Sequence, residues 1–316
     1  MANQLQSAQA AAAPREKRRR RGTLALKAAI EGYGMVAPAL IMLGVFIIYP
    51  IFYGLYISFH RWDGFSDMSF VGWLNYRNLF MQDGVFRQAA GNTLLYAFAI
   101  TIGKNVIGLA LALLVHQKIR GLLFFRTALF VPVTLSYVVV GLLWTWIYNP
   151  SFGLLASGLK AIGLESWVIP WLGGQHTALW AVIAVEIWKW AGFHMVLFLG
   201  GLQGIPSDLY EAAIMDGASA RRRFIHITLP LLKPIAFISV FLALNGGFVR
   251  NFDLVYIMTG GGPNHATEVV LTHMVSEAFQ RSNLGYASAM GYTLFATVAI
   301  LIVTYARLFN RGKGGG

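Results

Sequence analysis

Residues 206–230 read Pro-Ser-Asp-Leu-Tyr-Glu-Ala-Ala-Ile-Met-Asp-Gly-Ala-Ser-Ala-Arg-Arg-Arg-Phe-Ile-His-Ile-Thr-Leu-Pro and separate two long apolar runs. Asp208, with Glu211 three residues later, predicts the start of a helix, because acidic side chains there cap free N–H groups and suit the helix dipole. Gly217 predicts its end, since glycine adopts positive φ without strain. Ser219 predicts the cap of a second helix that reaches Pro230. The segment therefore predicts two short helices divided by a glycine.

The apolar runs on both sides set the class of protein. The 316 residues are 57% hydrophobic and 12% charged, with a mean hydropathy of +0.59, whereas soluble domains are about 25% charged. Runs of about 20 apolar residues can cross a hydrocarbon core about 30 Å thick. The sequence thus excludes a water-soluble globule and predicts an all-α membrane protein with six transmembrane helices, at residues 34–59, 93–116, 123–148, 178–201, 235–258 and 287–309.

The distribution of basic residues predicts the orientation. Seventeen of the 25 Lys and Arg lie in the N-terminal tail, the second and fourth connections and the C-terminus, against five in the alternate connections. Because Lys and Arg are in excess on the cytoplasmic side, both termini are predicted to be cytoplasmic. This pattern also favours a membrane protein over a nucleic-acid-binding one. We expect residues 1–27 to be a disordered basic tail near anionic lipid, residues 28–310 the membrane domain and residues 311–316 a C-terminal tail.

Several kinds of chemistry have no motif here. The chain has no cysteine, which excludes disulfides and cysteine-ligated metal centres. The nearest approach to a phosphate-binding G-x-x-x-x-G-K-[ST] loop is residues 153–160, which lack its Gly-Lys-Ser/Thr. Neither H-E-x-x-H nor G-x-S-x-G occurs. We therefore expect that the chain is not an enzyme and does not hydrolyse ATP by itself.

The segment 206–230 resembles the signature of binding-protein-dependent ABC importer permeases, which is Glu-Ala-Ala, three residues, Gly, nine residues, Ile, any residue, Leu-Pro. All seven fixed positions are present, namely Glu211, Ala212, Ala213, Gly217, Ile227, Leu229 and Pro230. Residues 70–76, 125–132 and 259–263 are similar to the carbohydrate-uptake (maltose and multiple-sugar) branch of these permeases.

This resemblance implies a type I ABC importer permease fold in the cytoplasmic membrane, with 206–230 as the coupling loop. Glu211–Gly217 would be a coupling helix seated in a cleft of a cytoplasmic ATPase, which would bind ATP and Mg. The implied partners are a second homologous permease, two ATPase subunits and an extracytoplasmic solute-binding protein. The cargo would be a sugar or related polyol. Neither a cofactor nor a metal is implied for this chain.

Two stripes of residues are candidates for a substrate site. Ionisable side chains within a span are costly unless they face a bundle interior, and they therefore indicate function. A carboxylate, an amide and aromatic rings suit the hydroxyls and flat C–H face of a sugar. The stripe in the fourth span is Glu186, Lys189, Trp190 and Phe193, and that in the fifth is Leu244, Gly247, Phe248 and Asn251. Their positions, more than their residue types, are similar to the sugar site of maltose-type permeases. The alternative is an internal Glu186–Lys189 ion pair with core aromatics.

Other polar residues in the spans leave alternatives open. Lys104 either faces a cavity or joins two helices. Arg250 and Asp253 either pair near the outer mouth or contribute to the site. His194 lacks a second ligand at metal spacing, so packing is favoured over metal binding. An ion-coupled secondary transporter, using Lys104, Glu186 or Asp253, is the competing function.

Overall fold

The computed structural model describes residues 33–117 and 121–311, and these are mostly helical. In chain order the helices are α1 (Tyr33–Ser58), α2 (Leu74–Met81), α3 (Gly84–His116), α4 (Leu122–Thr134), α5 (Tyr137–Ile147), α6 (Leu154–Ala161), α7 (Ala178–Gln203), α8 (Ser207–Met215), α9 (Ala220–Leu231), α10 (Lys233–Val249), α11 (Phe252–Thr259), α12 (Val270–Val275) and α13 (Leu284–Arg311). Strands β1 (His60–Arg61) and β2 (Ser69–Phe70) form an antiparallel hairpin.

Four helices are long and apolar enough to span a membrane: α1, α3, α7 and α13. Two bent pairs, α4 with α5 and α9 with α10, qualify as spans if each pair is counted as one, which gives up to six. By contacts, the chain divides into a unit ending at Ile57 and a second unit that begins at Ser58. The described part of the first unit is helical, and it contains a π-helical turn at Gly44–Ile48. The hairpin and helices α2 to α13 belong to the second unit.

Helices α3 and α7 pack side by side and run in the same direction. Near one end, Tyr96 packs in a cluster with Val182, and near the other, Val115 packs in a cluster with Leu202. A Cβ atom at Gly108 would lie 2.6 Å from the Cβ of His194. Small residues allow such close approach, and packing drives helix association in lipid, where no hydrophobic effect operates between helices. We call the end with Leu202, which carries α8 and α9, the arginine end.

The run predicted as one span at residues 123–148 is broken. Helices α4 and α5 meet at an angle of 102°. Ser136 begins α5, where its hydroxyl accepts the N–H of Val139 at 3.3 Å. A Cβ at Gly192 of α7 would collide with the carbonyl oxygen of Leu129, so α4 lies directly against α7. The prediction of one continuous helix was wrong because apolar composition does not reveal a bend that a neighbouring helix stabilises.

Two further boundaries differ from the sequence prediction. The helix that carries the second predicted span begins at Gly84 and not at residue 93, since Asp83 caps α3 by accepting the N–H of Phe86 at 2.8 Å. The helix that carries the fifth, predicted over 235–258, ends at Val249, and α11 follows after a break. At its other end, α10 meets α9 at 66° next to Leu232. A polar side chain stands at each of these helix ends, Asp83 before α3 and Asn251 after α10.

Candidate functional site

A cavity of about 150 Å³ lies between α3, α5, α7 and α10. Its walls combine charged, amide and aromatic side chains, a composition typical of a site that binds a polar ligand. The lining residues are Lys104, Tyr137, Glu186, Trp190, Phe193, His194, Leu242, Asn245, Gly246 and Arg250.

A buried ion pair joins two walls of this cavity. Lys104 Nζ lies 2.7 Å from Glu186 Oε1, and the two residues are 3% and 1% exposed. The hydroxyl of Tyr137 donates to the same oxygen at 3.3 Å. Among the described residues, the second oxygen, Oε2, has no hydrogen-bond partner. Glu186 is therefore held by Lys104, and its free oxygen is an acceptor without a donor.

The alternative prediction was an ion pair between Glu186 and Lys189. Lys189 does not form it. Its Nζ donates to the carbonyl oxygens of Pro132, Val133 and Leu135 at 3.1, 3.3 and 2.5 Å. Pro132 and Val133 lie in the last turn of α4 and Leu135 directly follows it, a place where helix carbonyls lack their usual intrahelical partners. Lys189 also lies 5.0 Å from the ring centre of Tyr137. Lys189 therefore stabilises the break between α4 and α5, and it is not among the residues that line the cavity.

Both predicted aromatic residues of α7 reach the cavity. Trp190 donates its indole N–H to the hydroxyl of Tyr137 at 2.8 Å. The ring of Phe193 meets that of Trp190 edge-on, with centroids 5.6 Å apart. Lys104 Nζ lies 5.6 Å from the centre of the Trp190 ring, within the range of cation–π attraction. The two rings are half-buried, so they offer partly accessible apolar surface beside polar groups.

The stripe predicted in the fifth span lies on another face of α10. Leu244 and Phe248 are buried in a cluster with Ala97 of α3. A Cβ at Gly247 would lie 2.6 Å from Ala97 Cα, so this glycine marks the closest approach of the two helices. The structure does not bring these three residues to the cavity. Gly247 serves packing, and periodicity alone cannot distinguish the packing face of a helix from the face that lines a cavity.

Asn251, the fourth member of that stripe, lies beyond the end of α10. It is fully buried, and its amide donates to the carbonyl oxygen of Gly247 at 2.8 Å. Its Oδ1 atom lacks a hydrogen-bond partner within the described residues. Asn251 thus closes the C-terminus of α10 and is not a lining residue.

Sequence reasoning missed the α10 residues that do face the cavity, Leu242, Asn245 and Gly246. A Cβ at Gly246 would have no atom within 4 Å. Asn245 was the available signal, because an amide in an apolar span indicates an interior position. Tyr137 was missed too, since its place depends on the break before α5.

His194 lines the cavity and hydrogen-bonds through Nδ1 with the Ser239 hydroxyl at 2.7 Å. This contact between α7 and α10 is the packed arrangement that the sequence favoured. In the described part of the chain, no group of three or more His, Asp or Glu could hold a metal ion.

At the arginine end, α8 carries the first part of the signature, and it has no buried residue. Glu211 and Ala212 are exposed and Ala213 is half-buried. Apolar side chains on the same helix are also exposed, with Met215 at 87%. Gly217 ends the segment with φ of 73°, as predicted. The helix begins at Ser207, so Asp208 lies in its first turn and makes no capping hydrogen bond there, contrary to prediction.

Helix α9 carries the rest of the signature. Ser219 accepts the N–H of Arg222 at 3.4 Å, which is the predicted cap. Ile227 is half-buried, whereas Leu229 and Pro230 are exposed. A hydrogen bond of 2.9 Å between the hydroxyls of Tyr210 and Thr228 ties α8 to α9. The exposed helix therefore rests on a second helix that continues into the fifth span.

A comparison with known protein families identifies the family of this chain. Residues 104–311 match the family described as binding-protein-dependent transport system inner membrane component. The chain belongs to this family.

Relatives of the permease agree with the assignment. It is 39% identical over 284 residues to the probable ABC transporter permease protein YurN of Bacillus subtilis, covering 89% of this chain and 96% of that one. It is 36% identical over 281 residues to the multiple sugar-binding transport system permease protein MsmF of Streptococcus mutans, covering 89% and 95%. A crystal structure of a bacterial ABC transporter for the import of alginate shares the fold, with a TM-score of 0.80, 22% identity and coverage of 92% and 99%.

The resemblance drawn from residues 211–230 is thereby confirmed. The chain is a permease subunit of an ABC importer and a multi-pass protein of the inner membrane. The family match gives no support to an ion-coupled secondary transporter. Of the residues predicted to bind substrate, Glu186, Trp190 and Phe193 line the cavity.

Proposed function

We propose that the permease carries a sugar or related polyol by alternating access through the cavity around Glu186. The observation that carries this proposal is that one cavity is lined by the Glu186 carboxylate, whose Oε2 lacks a hydrogen-bond partner among the described residues, and by the rings of Trp190 and Phe193. A carboxylate oxygen accepts hydrogen bonds from sugar hydroxyls, and aromatic rings pack on the C–H face of the sugar. The similarity to a multiple sugar-binding transport permease supports the same class of cargo.

A second homologous permease would complete the path. The cavity measures about 150 Å³, whereas ligand sites typically measure about 300 Å³ or more. This chain alone encloses less space than a typical ligand needs. The paired permease would supply the opposite wall.

The energy would come from two separate ATPase subunits that bind ATP and Mg. Exposed apolar side chains on α8, including Met215, form a surface suited to a protein partner. Glu211–Gly217 would sit in a cleft of one ATPase, with Glu211 facing a basic residue. Closure of the ATPase pair would then move α8, and α9 would transmit this movement to the fifth span. An extracytoplasmic binding protein would deliver the sugar on the opposite side.

For the membrane arrangement, we propose six spans with both termini in the cytoplasm. The bent pairs α4–α5 and α9–α10 would each count as one span. Residues 28–310 would form the membrane domain, with 206–230 as the coupling loop. The proposed basic tail, residues 1–27, and the end of the C-terminal tail, residues 312–316, lie outside the described residues.

Site-directed crosslinking tests the coupling surface directly, because the natural chain has no cysteine. Ala212→Cys places a single thiol on α8, and Ser282→Cys places one on an exposed loop before α13. In native membranes, a bifunctional reagent should join Ala212→Cys, and not Ser282→Cys, to an ATP-binding subunit. Failure of Ala212→Cys to capture such a subunit would contradict the proposed coupling.

Uptake into vesicles tests the cargo and the energy source. Vesicles that contain the whole complex and enclosed ATP, with the binding protein added outside, should accumulate sugar. Vesicles given only an ion gradient should not. Uptake driven by the gradient alone would overturn the proposal.

A further inference from the structure

The charges around the cavity do not balance. Lys104, Lys189 and Arg250 are cations at or beside it, and Glu186 is the carboxylate among its lining residues. Lys104 is neutralised by Glu186 at 2.7 Å. Lys189 is surrounded by carbonyl oxygens. Arg250 differs from both, because it contributes to the lining without a counterion.

Arg250 is exposed, and its guanidinium makes no hydrogen bond or ion pair with any residue in 33–117 or 121–311. The predicted pairing with Asp253 does not occur, although both residues follow α10 closely. The Arg250 backbone N–H is bonded to Gly246, which fixes the residue at the C-terminus of α10. Arg250 is thus fixed through its backbone, and it is one of the residues that line the cavity.

A cation that lines a cavity without a counterion is a candidate for ligand binding. Arg250 lies at the C-terminus of α10, where the helix dipole favours a positive charge. A guanidinium offers several N–H donors in a planar fork, which matches carboxylate, sulfonate and phosphate groups. An anionic group on the cargo would both neutralise Arg250 and use its donors.

We propose that the cargo is an acidic sugar, a carbohydrate with an anionic substituent that Arg250 binds. The Glu186 carboxylate accepts a ring hydroxyl of the same molecule, and Trp190 lies against its apolar face. Because Glu186 is paired with Lys104, Arg250 is the cation left among the lining residues to bind the anionic group. This inference rests on the proposed function, namely that the cargo is a carbohydrate.

The experiment uses the complete complex in proteoliposomes with enclosed ATP and the cognate binding protein outside. The probes are matched pairs of radiolabelled sugars: glucose with glucuronate, galactose with galacturonate, and glucose with glucose 6-phosphate. The variants are Arg250→Gln and Arg250→Lys. Lys160→Gln, which removes an exposed cation from α6, is the matched control.

We expect the wild type to take up the acidic member of at least one pair about tenfold faster than the neutral member, because charge complementarity sets specificity. Arg250→Gln should lower that uptake by about tenfold without lowering the amount of assembled complex, whereas Lys160→Gln should not change it. Arg250→Lys should retain part of the uptake, since it keeps the charge and loses the fork. The carboxylate and phosphate probes distinguish the anionic groups.

Three results would overturn the inference. Uptake of only the neutral sugar of each pair would overturn it while leaving the proposed function intact. An equal loss of both members in Arg250→Gln, together with loss of assembled complex, would assign Arg250 to an ion pair with the second permease. Lack of ATP-dependent uptake for every carbohydrate would contradict the proposed function as well, which separates the two failures.

Discussion

Lys104 and Glu186 are 82 residues apart in the chain, yet Lys104 Nζ lies 2.7 Å from Glu186 Oε1 and joins α3 to α7. Lys189, the cation near Glu186 on α7, cannot replace this contact because it donates to carbonyl oxygens. The pair therefore fixes two parallel helices beside the cavity. A buried charge that loses its partner is destabilising, and this gives the first prediction.

Lys104→Met should lower the stability of the solubilised complex by about 3–5 kcal/mol, because it leaves the Glu186 carboxylate buried without a counterion. The double variant Lys104→Met with Glu186→Leu should recover most of this loss. Thermal unfolding of the purified complex measures both. A double variant as unstable as the sum of the two single variants would show that the two residues act independently.

A second prediction compares adjacent glycines of α10. Gly247→Ala should destabilise the protein by about 1–3 kcal/mol, because the new methyl group would overlap Ala97 of α3. Gly246→Ala is the matched control, since its methyl group would enter open space. The thermal unfolding midpoints should separate the two variants. Equal midpoints would contradict the placement of the two glycines on different faces.

Asp83, which precedes α3, gives a prediction about pH. Burial raises the pKa of its carboxyl, but hydrogen bonds from the His273 ring, the Phe86 N–H and the Tyr286 hydroxyl outweigh burial, and the pKa lies below its ordinary 3.8. Because the folded state binds this proton more weakly than the unfolded state, Asp83 stabilises the fold above the ordinary pKa. That contribution disappears as the pH falls through the folded value.

Acidification from about pH 6 to about pH 3 should therefore lower the unfolding midpoint of the wild type more than that of Asp83→Asn. The exposed residue Asp67 provides the control, and Asp67→Asn should follow the wild-type profile. Identical pH profiles for the wild type and Asp83→Asn would refute the role given to Asp83.

The class of protein and its family could be predicted from the sequence, because both depend on local patterns. Apolar runs of membrane length follow from composition, and the seven signature residues lie within residues 211–230. The break at Gly217 could also be predicted, since the preference of glycine for positive φ is a property of one residue.

The geometry of the cavity could not be predicted, because it depends on contacts between distant residues. The bend after α4 is stabilised by Lys189, more than 50 positions away along the chain. The face that α10 turns to the cavity is set by the close approach of Gly247 to Ala97. The sequence offered Lys189 as the ion-pair partner of Glu186, whereas the packing of α3 against α7 brings Lys104 to it.

The coupling helix is the central claim, and charge reversal at Glu211 tests it most directly. Glu211 is exposed, so Glu211→Lys should leave insertion and complex assembly unchanged. Sugar uptake, and the rise in ATPase rate caused by the loaded binding protein, should both be abolished because the lysine would repel the basic residue proposed in the ATPase cleft. Glu165→Lys, an exposed charge reversal between α6 and α7 and outside the coupling helix, controls for the change of charge. Uptake and stimulated ATPase activity at wild-type levels in Glu211→Lys would contradict the account.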